Sequence, residues 1–316
     1  MLTSLVRHST QPIWLLLPSF LGFFIVLKKS VLLLKWVLFT FLIGRPKKLK
    51  SYGSWAMVTG ATDGIGKAFA FKLANQGLNL VLVSRNSNKL RSVSKEIQLD
   101  YPNTRIKTVV FDFSGDISAG VEAIEEAIKG LEVGVLINNV GLTYPSARYF
   151  HEVDEKVWMN IVKVNVEGTT RVTRAVLPGM LSRKRGAIVN IGSGAAIVVP
   201  SHPLFTMYAA TKAYIDQLSR SLYVEYKSSG IDVQCQVPLY VATKMVSKVA
   251  KIEKTSFFIP SAEDYARAAI CHIGREPRCT PYWSHSLQWW LASFIPDALL
   301  DAWRLSIAIR RRGGDC

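Results

Sequence analysis

The chain has 316 residues, enough for one large α/β domain with additional segments at its ends. Its formal net charge of +16 is high, but no zinc-finger, RNA-recognition or basic-zipper pattern accompanies it, which argues against nucleic-acid binding. The four cysteines form no C-x-x-C pair, and with the five histidines they show no metal-ligand spacing. We therefore expect no metal site and free thiols in a reducing compartment.

The first 50 residues form an apolar and basic region with eight lysines and arginines and no acidic residue. Residues 9–27 carry no charge, and this length is at the lower limit of the roughly 20 residues that span a bilayer. A second apolar stretch at 30–44, interrupted by Lys35, and no small-x-small cleavage site argue against a cleaved signal peptide. With the basic run at 45–50, the sequence predicts a retained membrane anchor over residues 1–50 and a cytosolic domain after it. A single span and a hairpin both fit.

After residue 52 the pattern changes to alternating strands and helices. A strand is predicted at 54–58, the sequence TGATDGIG occupies 59–66, a helical pattern runs over 67–77, and a second strand is predicted at 78–84. This order is a βαβ unit of a parallel sheet. The alternation continues along the chain and predicts a Rossmann-type doubly wound α/β fold with about seven parallel strands.

The glycines at positions 60, 64 and 66 lie between the first predicted strand and the first predicted helix of this unit. They let backbone N–H groups approach a pyrophosphate at the helix N-terminus, where the helix dipole also favours an anion. At the end of the second strand, NAD-binding proteins carry an acidic residue for the ribose hydroxyls. Here Ser84 and Arg85 occupy that place, and a guanidinium suits a 2′-phosphate, so NADP is the predicted cofactor. The alternative is that Arg85 is only a surface residue.

Two further strands are predicted to end in polar residues. Asp112 stands near the end of the strand predicted at 105–113, and Asn139 near the end of the strand predicted at 133–141. Asparagine at a strand end can serve the backbone of the following turn alone.

A second group of polar residues follows. Asn165 lies in a predicted helix, where asparagine is unfavourable unless it has a role in packing or in binding water. A fifth strand at 186–193 brings Ser193 to the carboxyl edge of the sheet. Tyr208 and Lys212 are four residues apart in a helical pattern, so both side chains leave one helix face. An ammonium group favours the phenolate, so the pair predicts a tyrosine whose pKa is lowered toward a useful range for proton transfer.

In this order, over residues 53–245, the motifs resemble those of the short-chain dehydrogenase/reductase family. The resemblance implies that Tyr208 donates a proton to a carbonyl oxygen and that Ser193 hydrogen-bonds the same oxygen. It further implies that Lys212 tunes Tyr208 and holds the nicotinamide ribose, and that Asn165 holds a water molecule that relays protons. The implied cofactor is NADPH/NADP+, with expected contacts at Gly60, Thr62, Asp63, Gly64, Ile65, Gly66, Ser84, Arg85, Asp112, Asn139, Tyr208 and Lys212.

Four segments, at 52–60, 191–196, 237–245 and 279–283, are similar to plant very-long-chain 3-oxoacyl-CoA reductases, the ketoreductases of fatty-acid elongation. This similarity implies reduction of 3-oxoacyl-CoA to 3-hydroxyacyl-CoA, with Ser193 contacting the substrate. The implied partners are a very-long-chain acyl-CoA, the membrane and other elongase components. The implied location is the endoplasmic reticulum membrane, with the catalytic domain facing the cytosol.

Two other functions stay open. Animal relatives of this group overlap with 17β-hydroxysteroid dehydrogenases, so a steroid or another hydrophobic ketone is an alternative substrate. A weakly active or non-catalytic elongase subunit is a further alternative. Two departures favour it: Val140 stands where the family usually has alanine, and Tyr208 follows Ser193 by 15 positions.

The last part of the chain, residues 261–316, lies outside the general family pattern and forms a third expected region after the anchor and a reductase domain at 51–260. It contains four of the eight tryptophans. Its longest uncharged run, 286–296, is too short to span a bilayer, so an interfacial segment is expected there. The arginines at 310–312 would suit anionic headgroups.

Three lysines follow the sixth predicted strand, which is placed at 231–245. Lys244, Lys248 and Lys251 stand at the spacing of one helical face. Such a face is expected either to meet the phosphates of CoA or to be an ordinary solvated surface.

Overall fold

The computed structural model describes residues 13–38 and 48–313. The chain divides into two compact units, residues 1–45 and 46–316. Parts of the expected anchor, residues 1–12 and 39–47, lie outside the described residues, as do residues 314–316.

The described part of the first unit is one helix, α1 (Ile13–Val37). Large apolar side chains such as Leu17, Phe20 and Leu21 are more than 60% exposed along it. Within the residues that the structure describes, no helix combines the length and the apolar character needed to cross a membrane.

The second unit is built on a seven-stranded sheet in which every pair of neighbouring strands is parallel. The strand order is β3-β2-β1-β4-β5-β6-β7. This arrangement confirms the prediction of a Rossmann-type sheet of about seven parallel strands. The strands are β1 (Trp55–Thr59), β2 (Asn79–Ser84), β3 (Ile106–Val110), β4 (Val133–Asn138), β5 (Gly186–Ile191), β6 (Ile231–Gln236) and β7 (Arg278–Cys279).

Helices follow the strands along the chain. They are α2 (Gly64–Asn75), α3 (Ser87–Asp100), α4 (Ile117–Ile128), α5 (Glu155–Val162), α6 (Thr169–Ser182), α7 (Gly194–Ile197), α8 (Thr206–Tyr226), α9 (Lys244–Ala250), α10 (Ala262–His272), α11 (Trp283–Ala292) and α12 (Asp297–Gly313). A π-helical segment, Lys163–Gly168, joins α5 to α6, and short 3-10 helices lie at Leu49–Ser51, Phe150–Glu152 and Lys227–Ser229.

Two hydrophobic clusters cover the two faces of the sheet. In β1, Ala56 and Val58 pack in one cluster with residues of α2, α3 and α10, whereas Trp55 and Met57 pack in the other with residues of α4 and α6. All four side chains are buried. Because successive side chains of a strand point to opposite faces, a strand covered on both faces must be apolar almost throughout. This explains why the short sequence WAMVT signals a central parallel strand.

The strand order reverses beside β1, which has β2 on one side and β4 on the other. In open parallel sheets a ligand crevice lies outside the carboxyl ends of the strands at such a point. Strand β6 is much shorter than the predicted 231–245 and ends at Gln236, because Pro238 has no N–H to continue the ladder. Strand β3 is also shorter than predicted, so Asp112 lies in the loop that follows it.

The C-terminal helices α10, α11 and α12 belong to the same compact unit as the sheet. Leu300 and Ala308 of α12 are buried, and Arg312 forms an ion pair with Glu152 at 2.7 Å. The last helix is therefore packed onto the domain over most of its length.

Candidate active site

The loop between β1 and α2 forms the first part of the site. Gly60 has a positive φ of 64°, which favours glycine. A Cβ on Gly66 would lie 2.3 Å from the carbonyl oxygen of Gly60, so α2 can begin this close to the loop only without a side chain there. Asp63 caps the helix by accepting a hydrogen bond from the N–H of Gly64 at 2.9 Å. The loop therefore brings the N-terminus of α2 to the crevice, as predicted for a pyrophosphate site.

Asn139 ties the end of β4 to this loop. Its amide nitrogen donates to the carbonyl oxygens of Thr59 and Gly60 at 3.1 and 3.3 Å, and its backbone N–H donates to Thr59 Oγ1 at 3.0 Å. Val140 also donates its backbone N–H to this oxygen, at 3.1 Å. Asn139 lines the crevice as predicted, and in addition it fixes the shape of the glycine loop.

A cavity of about 360 Å³ occupies the crevice at the carboxyl edge of the sheet. Gly66 and Asn165 are the two predicted site residues that do not line it. The other predicted residues all line it: Gly60, Thr62, Asp63, Gly64, Ile65, Ser84, Arg85, Asp112, Asn139, Ser193, Tyr208 and Lys212. The structure thus gathers residues that follow five strands into one cavity at the carboxyl edge of the sheet, where open parallel sheets bind dinucleotides.

The end of β2 carries no carboxylate. The hydroxyls of Thr62 and Ser84 lie 2.8 Å apart, and Arg85 follows with an exposed side chain. The carboxylate of Asp112 accepts two hydrogen bonds from Ser114. Burial raises the pKa of Asp112, but the bonds to Ser114 and the nearby Arg85 together hold the pKa of this carboxyl below its usual value. Arg85 therefore lines the cavity at the end of β2, where a guanidinium suits the 2′-phosphate of NADP.

Tyr208 and Lys212 lie one turn apart on α8, as predicted. Lys212 is buried, its Nζ donates to the carbonyl oxygen of Ile191 at 2.8 Å, and Nζ lies 5.9 Å from the ring centroid of Tyr208. Burial lowers the pKa of Lys212 to about 8. The bond to Ile191 holds the ammonium group at the end of β5, inside the cavity.

The pKa of Tyr208 corrects one prediction. We expected Lys212 to lower it, but burial raises the pKa of Tyr208, the hydrogen bond with Ser193 lowers it only in part, and nearby Tyr240 raises it further. Removing a phenolate from water costs more free energy than these polar groups return. Tyr208 is therefore a protonated phenol at neutral pH, which suits a proton donor.

Ser193 and Asn165 approach this pair from β5 and from the π-helical segment. Ser193 Oγ accepts a hydrogen bond from the N–H of Ala195 at 3.2 Å and so caps α7. The amide of Asn165 accepts from the N–H of Leu142 at 2.7 Å and donates to its carbonyl oxygen at 2.9 Å and to Thr211 Oγ1 at 2.9 Å. Asn165 thus fixes the loop after β4 against α8. Its role in holding a water molecule stays a prediction.

The three lysines after β6 do not share one helical face. Helix α9 ends at Ala250, and Lys251 follows it with a left-handed φ of 55°. Lys244 Nζ lies 2.9 Å from Asp63 Oδ2, which brings α9 to the N-terminus of α2 across the cavity. One of the three lysines, Lys244, therefore makes an ion pair with a residue of the glycine loop. The spacing of the lysines in the sequence does not reveal this contact.

His285 does not line the cavity, but it supports Leu239, which does, and sequence reasoning missed it. It is fully buried on α11, its Nδ1 accepts the backbone N–H of Leu239 at 3.3 Å, and its Nε2 lies 3.1 Å from the carbonyl oxygen of Tyr240. This pattern requires a neutral ring with the proton on Nε2. The only sequence signal was its position just after CTPYW (279–283), a segment similar to 3-oxoacyl-CoA reductases.

Acid is expected to destabilise the protein through His285. Burial lowers its pKa from 6.5 to about 4, so between these values the unfolded chain binds a proton that the folded chain does not. The contribution of His285 to stability is lost as the pH falls below about 6.5, and it is smaller by about 2 kcal/mol at pH 5. Buried His202, whose pKa is lowered to about 3, adds a loss of the same sign. We expect His285 alone to lower the Tm of the detergent-solubilised chain by about 4–8 °C between pH 7 and pH 5. His285→Gln should make this dependence less steep, and His151→Gln, at an exposed histidine, should not; an unchanged slope in His285→Gln would contradict the assignment.

A family model described as short chain dehydrogenase matches residues 54–254. The very-long-chain 3-oxoacyl-CoA reductase-like protein of Arabidopsis thaliana is 61% identical over 304 residues, which cover 96% of this chain and 96% of that protein. The very-long-chain 3-oxoacyl-CoA reductase of Anas platyrhynchos is 43% identical and covers 81% of this chain and 80% of its own. Inactive hydroxysteroid dehydrogenase-like protein 1 of Homo sapiens is also 43% identical, over 81% of this chain and 76% of its own.

Among solved structures, a short-chain dehydrogenase from Sphingobium yanoikuyae in complex with NADPH is 29% identical. It aligns with a TM-score of 0.61 over 69% of this chain and 83% of its own. The sheet, the glycine loop and the paired Tyr208 and Lys212 agree with these likenesses. The chain belongs to the short-chain dehydrogenase family.

Proposed function

We propose that the protein reduces 3-oxoacyl-CoA to 3-hydroxyacyl-CoA with NADPH, as a step of very-long-chain fatty-acid elongation. The main observation behind this proposal is that Ser193, Tyr208 and Lys212 line the same cavity as the glycine loop. The relatives named very-long-chain 3-oxoacyl-CoA reductase, or reductase-like, support the substrate class.

Each residue of the site has a separate role in the proposed reduction. NADPH, when bound along the glycine loop and Arg85, supplies a hydride to the 3-oxo carbon. Tyr208 holds the proton that the carbonyl oxygen receives, since burial raises the pKa of its phenol. Ser193, within hydrogen-bonding reach of Tyr208, stabilises the developing negative charge on that oxygen. The ammonium group of Lys212 then stabilises the phenolate that remains.

The choice of NADPH rests on the end of β2. A carboxylate there would repel a 2′-phosphate, and the structure places Ser84 and Arg85 in that position. The NADPH complex of the Sphingobium yanoikuyae relative supports the same choice.

A non-catalytic role is the second candidate, because one similar relative is named inactive. A hydroxysteroid substrate is the third, since the same name refers to hydroxysteroid dehydrogenases. The presence and contacts of Tyr208, Ser193 and Lys212 favour an active enzyme.

The test of the proposed function is NADPH consumption by the detergent-solubilised full-length protein, with a long-chain 3-oxoacyl-CoA and a 17-ketosteroid side by side. We expect turnover of the acyl-CoA and little of the steroid. The reverse preference would assign the protein to steroid reduction. NADPH binding without turnover of either ketone would favour the non-catalytic role.

We also propose that the N-terminal region anchors the protein in the endoplasmic reticulum membrane, with the reductase domain facing the cytosol and other elongase components nearby. The uncharged run at 9–27 and the exposed apolar side chains of α1 support this proposal. Exposed tryptophans and leucines of α11 and α12, such as Trp290, Leu291 and Trp303, support an additional interfacial contact.

Deletion of residues 1–50 is expected to release much of the protein from membranes, because the deletion removes the whole first unit, including the exposed apolar side chains of α1. A fraction is expected to stay bound through the C-terminal helices. The measurement is the partition between pellet and supernatant after membranes that contain the full-length or the truncated chain are sedimented. Full-length protein in the soluble fraction without detergent would contradict the proposal.

A further inference from the structure

A second cavity, of about 230 Å³, adjoins the cofactor cavity and shares Ser193 and Tyr208 with it. Most of its wall is apolar. Among the described residues that line it there is no aspartate or glutamate, and its two arginines, Arg304 and Arg311, both come from α12. The cavity therefore has an apolar wall and two positively charged side chains. It lies next to Ser193 and Tyr208, where the reacting carbonyl is expected.

The two arginines are held by the fold. They are seven residues apart on α12, so they lie on one face of the helix, two turns from each other. That helix is anchored by buried Ala308 and by the ion pair between Arg312 and Glu152. Arg304 and Arg311 are therefore held at the cavity and are not free to move away with a flexible tail.

Both arginines act on Tyr240, which lines the same cavity. Arg311 Nη1 donates to the Tyr240 hydroxyl oxygen at 2.9 Å. Burial raises the pKa of Tyr240, but the nearby guanidinium groups of Arg304 and Arg311 together hold it below its usual value, which makes the hydroxyl a stronger hydrogen-bond donor. A phenol hydroxyl can accept and donate at the same time. Because a guanidinium group can only donate, the Tyr240 hydroxyl accepts from Arg311 and keeps its own proton to donate.

The residues around Tyr240 hold its backbone and the two arginines in place. The backbone of its loop is fixed by His285, and Nη2 of Arg304 lies 2.7 Å from Nδ1 of His202. Burial and the two arginines lower the pKa of His202 to about 3, so this ring is neutral. Nε of Arg304 is buried and has no hydrogen-bond partner among the described residues. The cluster therefore carries positive charge that no acidic side chain in the described lining balances.

We propose that the Tyr240 hydroxyl donates a hydrogen bond to the thioester carbonyl oxygen of the substrate, with Arg304 and Arg311 as positioning residues. This inference rests on the function proposed above. In a 3-oxoacyl thioester one CH₂ group separates the two carbonyl carbons, so the thioester oxygen lies next to the reacting oxygen at Tyr208. Tyr240 and Tyr208 line the same cavity, so one substrate can reach both hydroxyls. Tyr240 thereby selects a ketone that carries a second carbonyl group two carbons away.

The first test is Tyr240→Phe, which removes only the hydroxyl. We expect kcat/KM to fall about 10- to 100-fold, mainly through KM, for a 3-oxoacyl-CoA and for the matching N-acetylcysteamine thioester, which has no phosphates. Reduction of a ketone of equal length without the thioester should be unchanged. The control is Tyr214→Phe, since that hydroxyl bonds Thr170 at 2.9 Å and does not line the cavity. It should leave all three substrates unaffected.

Each other outcome overturns the assignment. Equal loss on all three substrates would mean that Tyr240 has only a structural role. Loss confined to the CoA ester would mean that the cluster binds phosphates. No loss on either thioester would mean that Tyr240 does not touch the substrate.

The second test separates this inference from the proposed function. We would measure binding of 3-oxoacyl-CoA and of the matching N-acetylcysteamine thioester to the full-length protein loaded with NADP+, which cannot reduce them. Arg311→Met should raise the Kd of both ligands about 10-fold or more, and Arg310→Met, at the exposed neighbour on α12, should raise neither. A rise confined to the CoA ester would mean that Arg311 binds phosphates. If the wild type binds the ligand but never reduces it with NADPH, the proposed function fails. The difference in Kd between Arg311→Met and Arg310→Met still tests the role of the cluster in that case. If the wild type does not bind, both fail.

Discussion

Replacing Tyr208 by phenylalanine is expected to lower the rate of ketone reduction by about 10²- to 10⁴-fold. The substitution keeps the ring and removes the proton that the carbonyl oxygen must receive. Ser193 cannot readily replace it, because a serine hydroxyl is a much weaker acid than a phenol. The fold and NADPH binding should survive, which a cofactor titration monitored by protein fluorescence would check. A variant that retains most of the wild-type rate would show that Tyr208 is not the acid.

The effect of Lys212→Met is expected to differ from that of Tyr208→Phe. Lys212 is buried, donates to the carbonyl oxygen of Ile191, and lies beside Tyr208. Its loss should lower the rate and also weaken NADPH binding, because the ammonium group is assigned both to the phenolate and to the nicotinamide ribose. The two variants therefore differ in the cofactor titration and not only in rate. Equal NADPH affinity in both would contradict the ribose assignment.

Arg85→Asp is expected to weaken NADPH binding about 10- to 150-fold and to leave NADH binding nearly unchanged. A charge-assisted hydrogen bond to a phosphate contributes about 1.5–3 kcal/mol, and the aspartate would also repel the 2′-phosphate. The measurement is the Kd of each cofactor. The control is Arg91→Asp, at an exposed arginine of α3 that does not line the cavity. If Arg85→Asp binds both cofactors as the wild type does, Arg85 is only a surface residue.

Local sequence patterns determined most of the fold and the identity of the central residues. The sequence WAMVT, the glycines of the loop and Gly77 with its positive φ of 76° are short-range signals of strand, turn and helix end. Tyr208 and Lys212 share a helix, so their spacing of four residues was enough to place them side by side. Such features depend on backbone geometry within one or two elements, which is why they could be predicted without the tertiary structure.

The tertiary structure decided how these residues behave. The pKa of Tyr208 rises because the phenol is buried, and burial cannot be inferred from the spacing to Lys212. Asn139 supports the glycine loop because β1 and β4 are neighbours in the sheet. In the chain these two strands are separated by β2 and β3, so their contact could not be read from local sequence.

The substrate side depended on long-range contacts almost entirely. Lys244 meets Asp63 across 181 positions of the chain, and Arg311 meets Tyr240 across 71. From the sequence, Lys244 belonged to a lysine stripe and Arg311 to a basic tail near a membrane. Their actual contacts follow from where α9 and α12 pack, and packing is set by the burial of apolar faces against the whole domain, which local spacing does not encode.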